Sequence, residues 1–465
     1  MKSIFLFIKN IVTIFLLACL FTSCANIIPP SGGAKDSLPP MLIASFPKDS
    51  TVNFTGKKIT LTFDEFVEAK ETQQNLIINP LPKNLPIVDY KLQNVFITLK
   101  DTLEPNTTYS INFGNAIKDV NEGNIAKNKT YVFSTGKTID NNSIKGKVIL
   151  AKDGKIDSTL IVVLHPNLND TAVLKLRPRY IAKLDGQGKF KFNFLPNKPF
   201  NLFVLPNDYS KKYDDTTKLF GFLNESIVAS DTTKPYTIYA YREAEPAEPK
   251  QAPRQEEGGK TKTEDKRLKL ATSLVNSRFD ILDSALQITF NRKIIIKNID
   301  SILLLDTNYK KVNGFSFSID SLGKTISIKN KFDLNTNYIL LIGKGAIADT
   351  TGITLSKTDT IKFASFKEPD YGNIKLRINT TSTNAVLQIV KDGKLQISIP
   401  ITSKEINRKL FKPGEYELQV LIDENNNGIW DAGNYKQKKQ PEKVLPIKNK
   451  LMVKANWDNE MDLSW

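Results

Sequence analysis

The sequence predicts an all-β protein of tandem β-sandwiches behind a secretory leader, and three observations carry that prediction. Apolar and polar residues alternate with period two in short runs separated by Asn, Gly, Pro and Asp, as in half-buried strands joined by turns. Two segments about 230 residues apart echo each other, which is the mark of a repeated structural unit. The chain of 465 residues also exceeds one ordinary sandwich, since domains run to roughly 100–150 residues.

Composition narrows the function classes before any motif does. Charged residues make up 25% and hydrophobic residues 40% of the chain, an ordinary globular balance. The 65 Lys and Arg against 49 Asp and Glu give a formal charge of +16, or +14 once Lys2 and Lys9 leave with the leader. These cations are spread along strands and loops and read as solvated faces; no basic-aromatic stripe points to nucleic acid. The only cysteines are Cys19 and Cys24 and the only histidine is His165. A Cys/His zinc site, a cysteine nucleophile and a dithiol centre are thereby excluded from the mature chain. A Ser-His-Asp triad would have to use His165, which ends the apolar run Leu160 to Leu164 just before Pro166 and reads as a strand end.

Taken in order, residues 1–23 carry Lys2 and Lys9, the apolar stretch Ile11 to Leu20, and then Phe21-Thr22-Ser23 before Cys24. A charged start, apolar middle and small-residue end make a secretory signal, too short for a spanning helix of about 20 residues. The segment resembles a bacterial lipobox, with Phe21 where Leu is usual. That resemblance implies cleavage after Ser23, diacylglyceryl attachment at Cys24 and an outer-membrane lipoprotein. Ala25 stands where Asp would suggest inner-membrane retention, and the following residues lack the acidic run that marks surface export, so the periplasmic face is expected. Residues 24–38, rich in Pro and Gly, read as a tether.

The repeat sets the next boundaries. Residues 39–137 contain Leu61-Thr62-Phe63-Asp64, Val95-Phe96-Ile97-Thr98-Leu99, Asn106-Thr107-Thr108-Tyr109, Ala116-Ile117-Lys118-Asp119 and Tyr131-Val132-Phe133-Ser134-Thr135. Residues 268–366 answer with Ile288-Thr289-Phe290-Asn291, Ile326-Ser327-Ile328, Asn335-Thr336-Asn337-Tyr338, Ala346-Ile347-Ala348-Asp349 and Ile361-Lys362-Phe363-Ala364-Ser365. With Pro39-Pro40 at its start, the first copy resembles the S-layer-type bacterial Ig-like domain. The resemblance implies a sandwich whose Asn-Thr-x-Tyr tyrosine packs at a sheet corner. The second copy departs from it in lacking the Pro-Pro start and the terminal Gly.

Between and after the copies lies a second kind of unit. Residues 143–242 include Ile144 to Val148, the turn Asp185-Gly186-Gln187-Gly188 and the strand-like Phe200 to Val204. They resemble a transthyretin-like or carboxypeptidase-regulatory-like sandwich. Residues 370–465 return to the theme in Ile374 to Ile378 and Phe411 to Leu418, whereas 243–267 are rich in Pro and charge and read as a disordered linker. Two alternating halves joined by a strap are the expected architecture.

One short motif suggests a ligand. Asp423, Asn425, Asn427, the carbonyl of Ile429 and Asp431, with Gly428 at the sixth place, match the front of a calcium loop. Asn434 stands where the bidentate Glu belongs. The alternative is an Asn/Gly hairpin turn whose side-chain oxygens cap backbone amides. Calcium is thus the one cofactor the sequence raises. Asp64-Glu65 is the obvious pair of acids, but its counterpart is Asn291-Arg292. Gly32-Gly33 and Gly258-Gly259 lie in linkers without a following strand-to-helix pattern, which gives a phosphate loop no support. Trp430 and Trp457 are expected in the core, and the terminal Trp465 lacks a barrel's series of lipid-facing strands. The expectation is a non-enzymatic, lipid-anchored envelope protein that binds membrane lipid through Cys24 and a protein or glycan partner. Its competitors are a carbohydrate-binding lipoprotein, which needs aromatics exposed in a cleft, and a hydrolase, which needs converging acids.

Overall fold

The structure, a computed structural model, describes residues 35–127, 129–230, 234–246, 267–380 and 384–465. Strands hold 47% of the chain and helix 3%, so the protein is all-β. The alternation dictates it: along Lys58–Phe63 the side chains of Ile59, Leu61 and Phe63 point inward and those between them outward. Two compact units divide the chain. The first runs to Asn142 and adds Arg179–Ile181 and Asn193–Asn197; the second holds Ser143–Pro178, Ala182–Phe192 and Lys198–Trp465.

In the first unit a sheet runs in the order Leu42–Phe46, Lys58–Phe63, Asn94–Thr98, Ile87–Lys91. A second sheet orders Ile77–Asn79, Thr108–Asn112, Thr130–Ser134, and a ribbon pairs Val67–Ala69 with Ile117–Asp119. One core joins them, with Ile59, Leu61, Phe63, Val95 and Ile97 from the first sheet and Ile78, Ile111 and Phe133 from the second.

The second unit contains the same plan again. Leu270–Thr272, Leu286–Phe290, Thr325–Lys329 and Ser316–Ile319 form one sheet, and Ile294–Ile296 pairs with Ile347–Asp349 as the ribbon. The echo is exact in register: Leu61 lies opposite Val95 as Ile288 lies opposite Ile326. The tyrosine corner is present in both copies. The Glu104 amide donates to the Tyr109 hydroxyl at 2.9 Å and the Asp333 amide to that of Tyr338 at 3.1 Å. Each ring stacks on a core phenylalanine, Phe133 at 5.2 Å and Phe363 at 5.6 Å.

Residues 143–242 and 370–465 also match each other. Asn142–Leu150 pairs in parallel with Tyr236–Ala240, as Gly372–Asn379 does with Asp458–Ser464. Within the second unit these two sandwiches dock. The Tyr435 ring sits 5.0–5.8 Å from Phe203, Phe220 and Phe222, and its hydroxyl donates to the Asp170 carbonyl at 2.9 Å. The Val444 amide meets the Ala151 carbonyl at 2.9 Å. The second Ig-like copy joins the C-terminal sandwich through Tyr371, which donates to Asp280 at 2.7 Å, and through Lys412, 2.9 Å from Asp280 and 2.6 Å from Asp283. Two alternating halves therefore do not describe how the chain groups, because buried aromatic contacts tie most of 143–242 to the C-terminal sandwich. No helix among the described residues is long and apolar enough to cross a membrane.

Candidate functional site

The loop between Gly414–Ile422 and Lys443–Val453 brings together the five residues read as a calcium motif. Both ends of the loop are buried acids, Asp423 and Glu442. Asp423 accepts the amides of Asn427 at 3.2 Å and Gly428 at 2.7 Å, and the Asn427 side-chain oxygen accepts the Ile429 amide at 2.8 Å. Asp431 receives the side-chain amide of Asn427 at 3.0 Å and that of Asn425. Gly428 and Asn426 take left-handed φ of 79° and 61°, the conformation a tight turn requires and these two residue types tolerate. Asn434, at the twelfth place, accepts the Gln437 amide at 2.9 Å.

Sequence reasoning missed Glu442. Its two carboxylate oxygens accept the amides of Glu424 at 2.9 Å and Asp431 at 3.0 Å, and its carbonyl accepts the Trp430 indole N–H at 2.8 Å. The arrangement is a turn whose carboxylates satisfy backbone donors that would otherwise be buried without partners. Among the described residues no group of three or more His, Cys, Asp or Glu is arranged to hold a metal ion.

Asp64 and Glu65 directly follow the strand Lys58–Phe63. Asp64 accepts the Met41 amide at 2.8 Å, and its counterpart Asn291 accepts the Lys269 amide at 2.9 Å. Either side chain clasps the incoming chain, which explains why acid and amide interchange. Asp119 is buried as well. Against the upward push of burial, the amides of Glu122, Gly123 and Asn124 hold its carboxyl below the usual range. In the second copy Asp349 is lowered to about 2, foremost by the Thr351 hydroxyl, with the Ile353 amide and Arg292 at 3.2 Å adding to it.

His165 ends the strand Leu160–His165, fully buried, with its ring centroid 5.7 Å from that of Phe203 in an edge-on arrangement. Burial lowers its pKa to about 4, so it is neutral at pH 7. An open groove of about 550 Å³ lies beside Thr159, Lys183 and Asp208, but Asp208 is already held by Lys218 at 2.5 Å. Trp430 is half-buried against Val386, Leu421 and Val444. Trp457, expected in the core, is 62% exposed, because it stands at the turn before Asp458–Ser464 with Lys454 5.2 Å from its ring. Cys24, both Gly-Gly pairs and most of the linker lie outside the described residues.

Residues 36–135 match the family described as Bacterial Ig-like domain. This one segment accounts for the tyrosine corner, the ribbon and the two sheets of the first copy. Among curated proteins none matches the chain by sequence. Solved structures similar to it include the Bacillus anthracis TIE protein, at 11% identity over 94% of this chain and 76% of that one, with a TM-score of 0.16. BcpA, the major pilin subunit of Bacillus cereus, aligns at 9% over 70% of this chain and 99% of its own, with a TM-score of 0.17. Domains 1–6 of the surface layer protein SbsC align at 12% over 92% and 55%, also at 0.17. Superpositions this loose carry no argument.

Proposed function

We propose that this chain is a non-enzymatic binding or scaffold protein of the cell envelope, tethered to the periplasmic face of the outer membrane through acylated Cys24. The observation that supports this reading is how the acids are used. In a tandem of sandwiches, Asp64, Asp119, Asp349, Asp423 and Glu442 clasp strands and close turns, where hydrolysis would need them gathered around a cleft. What remains for function is surface, displayed on rigid β domains. The anchor is supported by the sequence Phe21-Thr22-Ser23-Cys24, and more than one acyl chain there would meet the requirement for stable membrane attachment.

Exposed Trp457 favours a second reading, a carbohydrate-binding lipoprotein that stacks a sugar ring on the indole. In-cell crosslinking followed by mass spectrometry, run beside a Cys24→Ala form, separates the two. Specific envelope proteins captured by the anchored form and lost from the variant are expected. Reproducible capture of no protein neighbour would sink the scaffold reading and leave the glycan one.

A further inference from the structure

The two Ig-like copies provide a control for each other, because the same backbone bonds identify equivalent positions. In the first, the Asp64 amide donates to Met41 O, Val67 to Leu92 O, and Val120 to Phe66 O. In the second, Asn291 donates to Lys269 O and Ile294 to Gly323 O, while the ribbon register places Lys293 and Thr350 where Phe66 and Val120 stand. Met41, Phe66, Leu92 and Val120 thus correspond to Lys269, Lys293, Gly323 and Thr350. The fold is satisfied by Lys, Lys, Gly and Thr, yet the first copy exposes four large apolar side chains there, at 61%, 52%, 61% and 54%. The second copy's longer hairpin does expose Leu322, a single apolar residue of the kind any surface carries.

Leu92 makes the contrast sharper. Its φ is 58°, where Gly323 has 69°; a left-handed backbone costs a branched residue about 1 kcal/mol and glycine nothing. An exposed leucine held in that conformation has no packing reason to be there, and such strain collects at functional positions.

The chain enters the domain at this same end. The Asp36 carbonyl accepts the Asn124 side-chain amide at 3.1 Å, and Leu38, 71% exposed, follows. Asp36 is the twelfth residue after Cys24, a reach of at most about 40 Å. The charge is distinctive too. Where the second copy sets Arg292 against Asp349, the first sets Glu65 near Asp119, Asp64, Asp36 and Glu122, and burial together with those acids raises its pKa. An acidic rim around apolar side chains complements a surface that is apolar beneath, carries ammonium groups above and has no net negative charge.

We propose that this end of the first Ig-like domain seats in the headgroup layer of a bilayer rich in ethanolamine lipids. Leu38, Met41, Phe66, Leu92 and Val120 reach the acyl boundary, and the carboxylates of Asp36, Asp64, Glu65 and Glu122 face headgroup ammonium groups. The proposal rests on the anchor reading, which brings this end within reach of the membrane. Exposed apolar side chains at an interface gain from leaving water, and the acidic rim disfavours phosphatidylglycerol.

The test uses the full-length membrane-extracted protein in vesicles of phosphatidylethanolamine and phosphatidylcholine, with a polarity-sensitive dye on Asn121→Cys or, as control, on its counterpart Thr351→Cys. Quenching by acyl-chain nitroxides is expected for the first dye and not the second. It should weaken in phosphatidylglycerol vesicles. It should be lost when Met41→Lys, Phe66→Lys, Leu92→Gly and Val120→Thr are combined, residues the second copy already accommodates, with an unfolding midpoint no lower than the parent's confirming the fold. An Asn121 dye left in water while the intact mass reports acylated Cys24 would overturn the proposal and spare the anchor. So would quenching that survives the fourfold variant, or shielding that requires an envelope protein. Quenching without acylation would keep the seated end and remove the anchor; absence of both would remove both.

Discussion

One hydroxyl holds each Ig-like corner, and it is the feature most legible in the sequence. The Asn-Thr-x-Tyr motif places Tyr109 and Tyr338 five residues beyond the amides they accept from, close enough to be read as one unit. Tyr109→Phe keeps the ring stacked on Phe133 but removes the acceptor, and should destabilise the first copy by about 1 kcal/mol, seen as a lower urea midpoint. His165 was legible as a strand end, while its depth came from packing that no local pattern encodes. Its pKa is about 4 when folded and about 6.5 unfolded. Between those values the unfolded chain takes a proton that the folded one refuses. Stability contributed by the neutral imidazole is therefore full above pH 6.5 and falls as pH drops toward 4, by about 3 kcal/mol in all. Thermal unfolding at stepped pH should show this loss, and His165→Leu should flatten it. Glu442 stayed hidden because its amide partner Glu424 is far off along the chain, and a long loop leaves no period to read.

At the scale of elements, strands were legible wherever one face is buried, since alternation follows from the pleat itself. The docking of the sandwiches was not, because Tyr435 lies in an irregular loop and reads as any exposed turn tyrosine. Tyr435→Ala removes a ring packed against Phe203, Phe220 and Phe222, a loss of about 3 kcal/mol by analogy with core aromatics. Hydrogen exchange should accelerate both in the loop and in Pro199–Pro206; a change confined to the loop would mean that the contact does not hold the sandwiches together. The Asp423 to Asp431 turn makes a separate prediction. Its oxygens already accept amide donors, so millimolar calcium should leave the unfolding midpoint where it is. A rise that vanishes in Asp431→Asn would instead favour the calcium loop.

For the whole molecule, the repeat revealed four sandwiches' worth of pattern but not their grouping, which depends on a few aromatic and ionic contacts between distant segments. The same comparison exposed the difference that matters most. The copy that follows the N-terminal segment carries apolar residues and acids at positions where the other carries Lys, Gly and Thr. The proposed tether, and the membrane reach it gives the first Ig-like domain, depend on Cys24 being the anchor. The most direct measurement is the intact mass of the protein recovered from membranes, with Cys24→Ala fractionated in parallel. A chain beginning at Cys24 with its acyl groups attached, and a variant released from the membrane fraction, are the expected results. An unmodified Cys24, or a Cys24→Ala protein that stays equally membrane-bound, would contradict the anchor.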